Sequence, residues 1–190
     1  QLTDLHLGPY TGVALLAQYL RTVLDQFNRV VTLTEEFESI QTYVEIQKLR
    51  FGDHILFESE LDMDLEWFKV PAMTIQPLVE NAFQHGVRNE KRGYIRCVAE
   101  KDGEDVLLYV WDDGVGLTEE KRTQLLQSLS EGDMNENPEK NIGLSNVWRR
   151  LNLYYPGRVT PFIRGAENEY SQMGFRLHEA DQTDQTHPDT

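Results

Sequence analysis

The sequence predicts a two-layer α/β sandwich preceded by helices. Two patterns carry that prediction: short alternating apolar segments, two of them separated by an Asp-Gly turn signal, and amphipathic helical stretches interleaved with them in mixed order. The size suits it, since 190 residues of which 39% are hydrophobic and 10% aromatic supply one compact core, or one core with a smaller appendage.

Taken in order, Val13, Leu16, Ala17, Leu20, Val23, Leu24 and Phe27 recur at three- and four-residue intervals, the mark of an amphipathic helix starting near Thr11. A second helix opens at Thr34, with Glu35 and Glu36 suiting the positive end of its dipole, and runs through Ile40, Tyr43, Val44 and Ile46 to about Phe51 before Gly52 stops it. His54 to Leu61 and Trp67 to Val70 read as short extended segments. A helix follows Pro71, carries Ile75, Leu78, Val79, Ala82 and Phe83 on its inner face and ends at Gly86; Pro77 fits only within its first turn. Tyr94 to Glu100 and Asp105 to Trp111 form a hairpin turned at Asp102-Gly103.

Thr118 caps another helix, to about Ser128. From Ser130 to Asn141 only Met134 is apolar among Glu, Gly, Asp, Asn and Pro, so a mobile loop is expected there. A helix capped by Ser145 then resumes through Val147, Trp148, Leu151 and Leu153, stopping near Pro156-Gly157. Strands around Thr160 to Arg164 and Gln172 to His178 close the fold, and the polar tail from Glu179 to Thr190 is expected to be disordered. The boundaries that follow are a helical segment over 1–51, a main domain over 52–178 and a tail over 179–190.

Charge and cysteine content remove several functions. With 32 acidic against 18 basic residues the formal charge is -14, the wrong sign for a surface that neutralises nucleic-acid phosphates. The single Cys97 excludes an internal disulfide and a multi-cysteine metal site, fits a reducing compartment, and reads as a small buried strand residue. No run of about 18 apolar residues exists to span a membrane. Because Gln1 and not Met stands first, the chain is expected to be a piece of a longer protein.

Three short stretches carry candidate chemistry. In Val110-Trp111-Asp112-Asp113-Gly114-Val115-Gly116-Leu117 a carboxylate at a strand end can accept a hydrogen bond from an exocyclic amine, and the glycines let backbone approach a flat ring; alone, the run reads first as an ordinary turn. In Gln76 to Gly86, Asn81 and His85 stand four apart on one helical face, and an amide oxygen there can ligate Mg²⁺; alone, they read first as an exposed polar pair. In Asn141-Ile142-Gly143-Leu144-Ser145-Asn146, a glycine entering a helix presents free amides that bind phosphate; alone, it reads first as a plain capped helix.

The order of the three is more specific than any one. It resembles the Bergerat-type ATPase superfamily shared by DNA gyrase, the large heat-shock chaperone, histidine kinases and the mismatch-repair protein MutL, and within it the LytS/YesM-like sensor histidine kinases. Tyr43 to Gly52, Val70-Pro71, Gln76 to Gly86 and Gly143 to Leu151 all match that group, so the resemblance runs from about Leu15 to Leu177.

The resemblance implies an ATP-binding catalytic domain of a two-component histidine kinase. By it Asp112 receives the adenine amino group, Gly114 and Gly116 with Leu117 shape the adenine wall, Asn81 coordinates Mg²⁺, and Gly143 with Leu144 faces the phosphates. His85 lies near the phosphates or serves structurally beside Gly86, and the loop from about Ser130 to Asn141 is the ATP lid. It further implies a response regulator as partner, a homodimer formed through upstream helices, and a membrane-bound parent whose cytoplasmic part this is.

The sequence also departs from the group. Gln84 replaces a basic residue common in relatives, a contact that Lys140 could supply, and Pro77 stands where hydrolysing members of the superfamily carry a Glu. The acceptor motif, His-Phe-Leu-Tyr-Asn-like, does not occur around His6, His54, His85, His178 or His187, so the phosphoacceptor is expected upstream. A nucleotide-independent dimerisation or docking module is the alternative reading.

Overall fold

The computed structural model describes residues 29–51, 54–86, 93–131 and 138–178, together with positions 13, 14, 16, 17 and 21, which are helical. Most of the first amphipathic stretch, the centre of the expected loop and the tail from 179 onward lie outside the described residues.

A short strand β1 (Val30–Thr32) leads into helix α1 (Leu33–Phe51). The helix starts earlier than Thr34 because Thr32 and Glu35 form a reciprocal capping box: Thr32 Oγ1 accepts from the Glu35 amide at 3.2 Å, while Glu35 Oε2 accepts from the Thr32 amide at 2.8 Å. Leu33, Glu36, Ile40 and Val44 are buried at the spacing of one helical stripe, with Ser39 buried beside them.

β2 (Ile55–Leu61) and β3 (Lys69–Pro71) follow, β3 pairing antiparallel with β1. The reading of Trp67 as strand is corrected: it lies in the turn before β3 and is 81% exposed, because the backbone there closes on itself through the Phe68 amide donating to Leu65 O. Helix α2 (Gln76–Asn81) then begins with Pro77 in its first turn, as expected.

The main sheet has the order β2-β4-β5-β7-β6, from β4 (Gly93–Asp102), β5 (Asp105–Asp112), β6 (Val159–Ala166) and β7 (Tyr170–Leu177). Only the β2–β4 pairing is parallel; the rest are antiparallel. The β4–β5 hairpin turns one residue later than expected, at Gly103-Glu104 between the paired Asp102 and Asp105, with Gly103 at φ +66. Alternation sends Ile95, Cys97 and Ala99, Val106, Leu108 and Val110, and Met173, Phe175 and Leu177 to one buried face. The opposite face is aromatic, with Trp111 between Tyr94 and Tyr170.

Helices α3 (Glu119–Glu131) and α4 (Pro138–Tyr154) pack against the buried face together with α1 and α2. Thr118 caps α3, its Oγ1 accepting from the Lys121 amide at 3.3 Å, and Leu125 and Leu129 face inward. In α4, Val147 and Leu151 are fully buried and Trp148 stacks on Phe175, but Leu153 is 77% exposed, off the inward stripe. Ser145 is not the cap of this helix: α4 already begins at Pro138, whose missing amide costs nothing in a first turn. Among the described residues no helix is long and apolar enough to cross a membrane.

Candidate functional site

The last residue of β5, Asp112, is on the helix-covered face and is 5% exposed. Its Oδ1 accepts from the Gly114 amide at 3.0 Å and its Oδ2 from the hydroxyl of Ser171, directly opposite on β7. These bonds fix the orientation of the carboxylate. The neighbouring Asp113 has a different task, because its Oδ1 accepts from the Tyr94 amide at 2.7 Å and ties the turn to β4.

The turn after Asp112 is pressed against the β6–β7 connection. The Asn168 amide donates to Val115 O at 2.8 Å, and Gly116 sits at φ +64 with the carbonyl of Ala166 only 1.9 Å from where a Cβ would stand. Only glycine fits that position. Leu117 is buried beside it, its Cβ 3.2 Å from the site a Gly165 side chain would take.

Asn81, the last residue of α2, is partly buried and its Nδ2 donates to Met173 Sδ at 3.3 Å. Met173 pairs with Val110, two residues before Asp112, so the Asn81 amide and the Asp112 carboxylate belong to one region of the buried face. With the amide nitrogen on sulfur, the side-chain oxygen is the atom left for a cation. His85 follows in the π-helical turn into which the chain widens from Ala82 to Gly86, and its side chain lies outside the described residues.

Gly143 does not enter a helix from a loop; it is the sixth residue of α4, so its amide belongs to the helix interior. It is exposed, and a Cβ there would stand 3.4 Å from Cβ of Pro77, which brings α4 over the start of α2. Leu144 is half-buried against the core. Asn81, Asp112, Gly114, Gly116, Leu117, Gly143 and Leu144 thus fall on contiguous elements. Gln84 is exposed, and the side chain of Lys140 lies outside the described residues.

Three contributors escape a sequence reading. Ser171 holds Asp112, and alternation along β7 could have placed it inward had the strand been started one residue earlier. Glu36 and Arg150 clamp the loop before α2 from two helices, a long-range pairing with no local signal. Among the described residues no group of three or more His, Cys, Asp or Glu could hold a metal by itself. A separate depression of about 250 Å³, lined by Tyr109, Phe162, Arg164 and Arg176 among others, opens on the other face of the sheet and is not this site.

Residues 71–181, more than half of the chain, match the family of histidine kinase-, DNA gyrase B- and HSP90-like ATPases, and residues 10–55 match the histidine kinase family. The chain belongs to the histidine kinase-type ATPases. Within them it is 33% identical over 169 residues to the uncharacterized protein YwpD of Bacillus subtilis, covering 87% of this chain and 57% of that one. It is 29% identical over 168 residues to the sensor protein kinase HptS of Staphylococcus aureus, covering 88% of this chain and 32% of HptS. The chain therefore spans from about a third to just over half of the length of those relatives. It shares its fold with the catalytic domain of histidine kinase ThkA, at a TM-score of 0.56 and 17% identity over 78% of this chain and 93% of that one. ThkA solved in complex with the response regulator TrrA aligns at a TM-score of 0.53 and 17% identity, over 94% of this chain and 53% of that one.

Proposed function

We propose that the chain binds Mg-ATP between α2, the Asp112–Leu117 turn and α4, and acts as the catalytic part of a sensor histidine kinase. The observation that carries this reading is the buried carboxylate of Asp112, held rigid by Gly114 and Ser171 at the end of a central strand. So placed, it accepts the exocyclic amino group of adenine, while Gly114, Gly116 and Leu117 line the flat face of the base. Gly143 and Leu144 would face the phosphates from α4.

The residues fit Mg²⁺ carried in by the nucleotide. Asn81 would hold it through its side-chain amide oxygen, a hard ligand suited to that ion. When bound, it neutralises charge developing on the transferred phosphoryl group. The chain's own part is orientation: Asp112 fixes the base, Asn81 the metal side, and α4 the cover.

The γ-phosphoryl group would go to a histidine of the parent protein outside the five present here, and from there to an aspartate of a response regulator, as the ThkA–TrrA pairing suggests by analogy. The uncovered apolar side chains of Val13 and Leu16, 69% and 46% exposed on helical backbone, support a helical dimer interface in the first part of 1–51, whereas β1 and α1 pack into the core of the nucleotide domain. The parent would be anchored in the cell membrane, with this domain on the cytoplasmic side.

Base selectivity tests the reading. An aspartate that accepts the 6-amino group of adenine faces a carbonyl oxygen in guanine, so ATP should displace a fluorescent ATP analogue at least roughly tenfold better than GTP. Equal displacement contradicts the role given to Asp112, and no displacement by either leaves the docking-module reading.

A further inference from the structure

The loop between β3 and α2 is gripped from two sides by side chains of two other helices. Glu36 of α1, 2% exposed, accepts three successive amides: Met73 at 2.5 Å on Oε1, Thr74 at 3.0 Å and Ile75 at 3.0 Å on Oε2. Arg150 of α4 donates to the two preceding carbonyls, Nη1 to Ala72 O at 2.7 Å and Nη2 to Met73 O at 2.5 Å. Met73 itself is in the left-handed region at φ 60, a conformation that persists in a residue with a side chain only where its surroundings impose it.

We propose that Glu36 is a positioning residue for the nucleotide site: from α1 it fixes the start of α2, and through that helix Asn81, while Arg150 extends the same hold to α4. This rests on the Mg-ATP reading above. Three features lead to it. Ile75, at the N-cap of α2, has no side-chain cap of its own, and the Glu36 carboxylate accepts its amide from another helix, as the Glu of a capping box does locally. The helix so capped runs only from Gln76 to Asn81, which puts Asn81 less than two turns from the clamp. And a buried carboxylate is tolerated only while its hydrogen bonds persist, so a shift of α1 must either carry the 72–75 loop with it or break three bonds together.

The arrangement therefore couples α1, which β1 joins to the N-terminal part of the chain, to the residue facing the metal. It does not touch Asp112 or the adenine side. A tilt of α1 would change how Asn81 meets Mg²⁺ and leave base recognition intact.

Calorimetry on the full chain separates these contributions, with metal-free ADP in EDTA reporting the adenine side and Mg-ATP adding the metal side. Glu36→Gln should keep metal-free ADP affinity within about threefold of wild type and lose at least tenfold of the gain from Mg²⁺. It should add nothing further in an Asn81→Ala background. Arg150→Lys, which keeps the charge but not the paired contacts to two carbonyls, should show the same selective loss. Equal weakening of both ligands, or no change in either, overturns the assignment. So does loss of the fold in both variants, which would make the clamp a matter of stability alone. Absence of all nucleotide binding in the wild type instead removes the ATP reading, and this assignment with it.

Discussion

Gly116→Ala tests the geometry of the proposed adenine wall. The position is at φ +64, where an L side chain costs roughly 1–2 kcal/mol. The added Cβ would also stand 1.9 Å from Ala166 O and 2.9 Å from Ala166 C, backbone atoms of the β6–β7 connection that cannot rotate aside. Forced repacking of that kind costs roughly 1–3 kcal/mol, so the total is roughly 2–5 kcal/mol. For a chain of this size that lowers Tm by roughly 5–20 °C. Gly103→Ala is the internal control, because its φ of +66 is nearly the same and nothing lies within 4 Å of its Cβ; it should cost only the conformational part. Urea denaturation of the two variants gives the difference directly. If Gly116→Ala were no more destabilising than Gly103→Ala, the close approach of the Asp112–Leu117 turn to Ala166 would be refuted.

Burial pushes the Glu36 carboxyl above the usual range, against the pull of its three amide donors and Arg150. Its contribution to stability is thus fully present below the unfolded value of about 4.3 and is lost as pH rises through the folded one. Stability of wild type minus that of Glu36→Gln should accordingly fall with rising pH above about 4.3 in pH-dependent denaturation, and a rise would contradict the assignment. Cys97 is fully buried and its thiol is pushed well above the ordinary range, first by desolvation and then by the nearby Glu36. It should resist a disulfide reagent in the native chain and react fully in concentrated urea; rapid native labelling would contradict its place on the helix-covered face of β4. Asn81→Ala should leave metal-free ADP binding within about threefold and abolish the Mg²⁺-dependent gain by calorimetry. Proportional loss of both would assign Asn81 to packing against Met173.

Elements whose side chains alternate or recur regularly were legible in the sequence: the stripe of α1, the β4–β5 hairpin, the strand β7. The family followed from the order of the three motifs. What the sequence concealed depended on backbone bonding or on distant partners. The start of α4 was obscured because Asn, Glu and Pro read as loop, although Pro138 is also a proper first residue for a helix. The π-helical turn after Asn81 is defined by which amide meets which carbonyl, and side-chain periodicity carries no trace of it. Thr32 was passed over as a cap because the first acidic residues, Glu35 and Glu36, drew the helix start toward Thr34, although Thr32-x-x-Glu35 is a capping-box pattern. The Glu36–Arg150 clamp joins residues more than a hundred positions apart, and only the tertiary fold brings them to one loop. Of the candidate site, Asp112 and Gly116 were identifiable by residue type and context, whereas Ser171 required the exact strand register.

The central claim is that Asp112 is the base-binding group of an ATP site. Calorimetric titration of the chain with Mg-ATP, alongside Asp112→Asn, tests it most directly. Asparagine keeps the shape and can still bond Gly114 and Ser171, but it replaces one acceptor oxygen by a donor facing the adenine amine. The wild type should bind Mg-ATP, and the variant should bind at least roughly tenfold more weakly, a loss of about 1.4 kcal/mol or more. No binding by the wild type, or equal binding by both proteins, would contradict it.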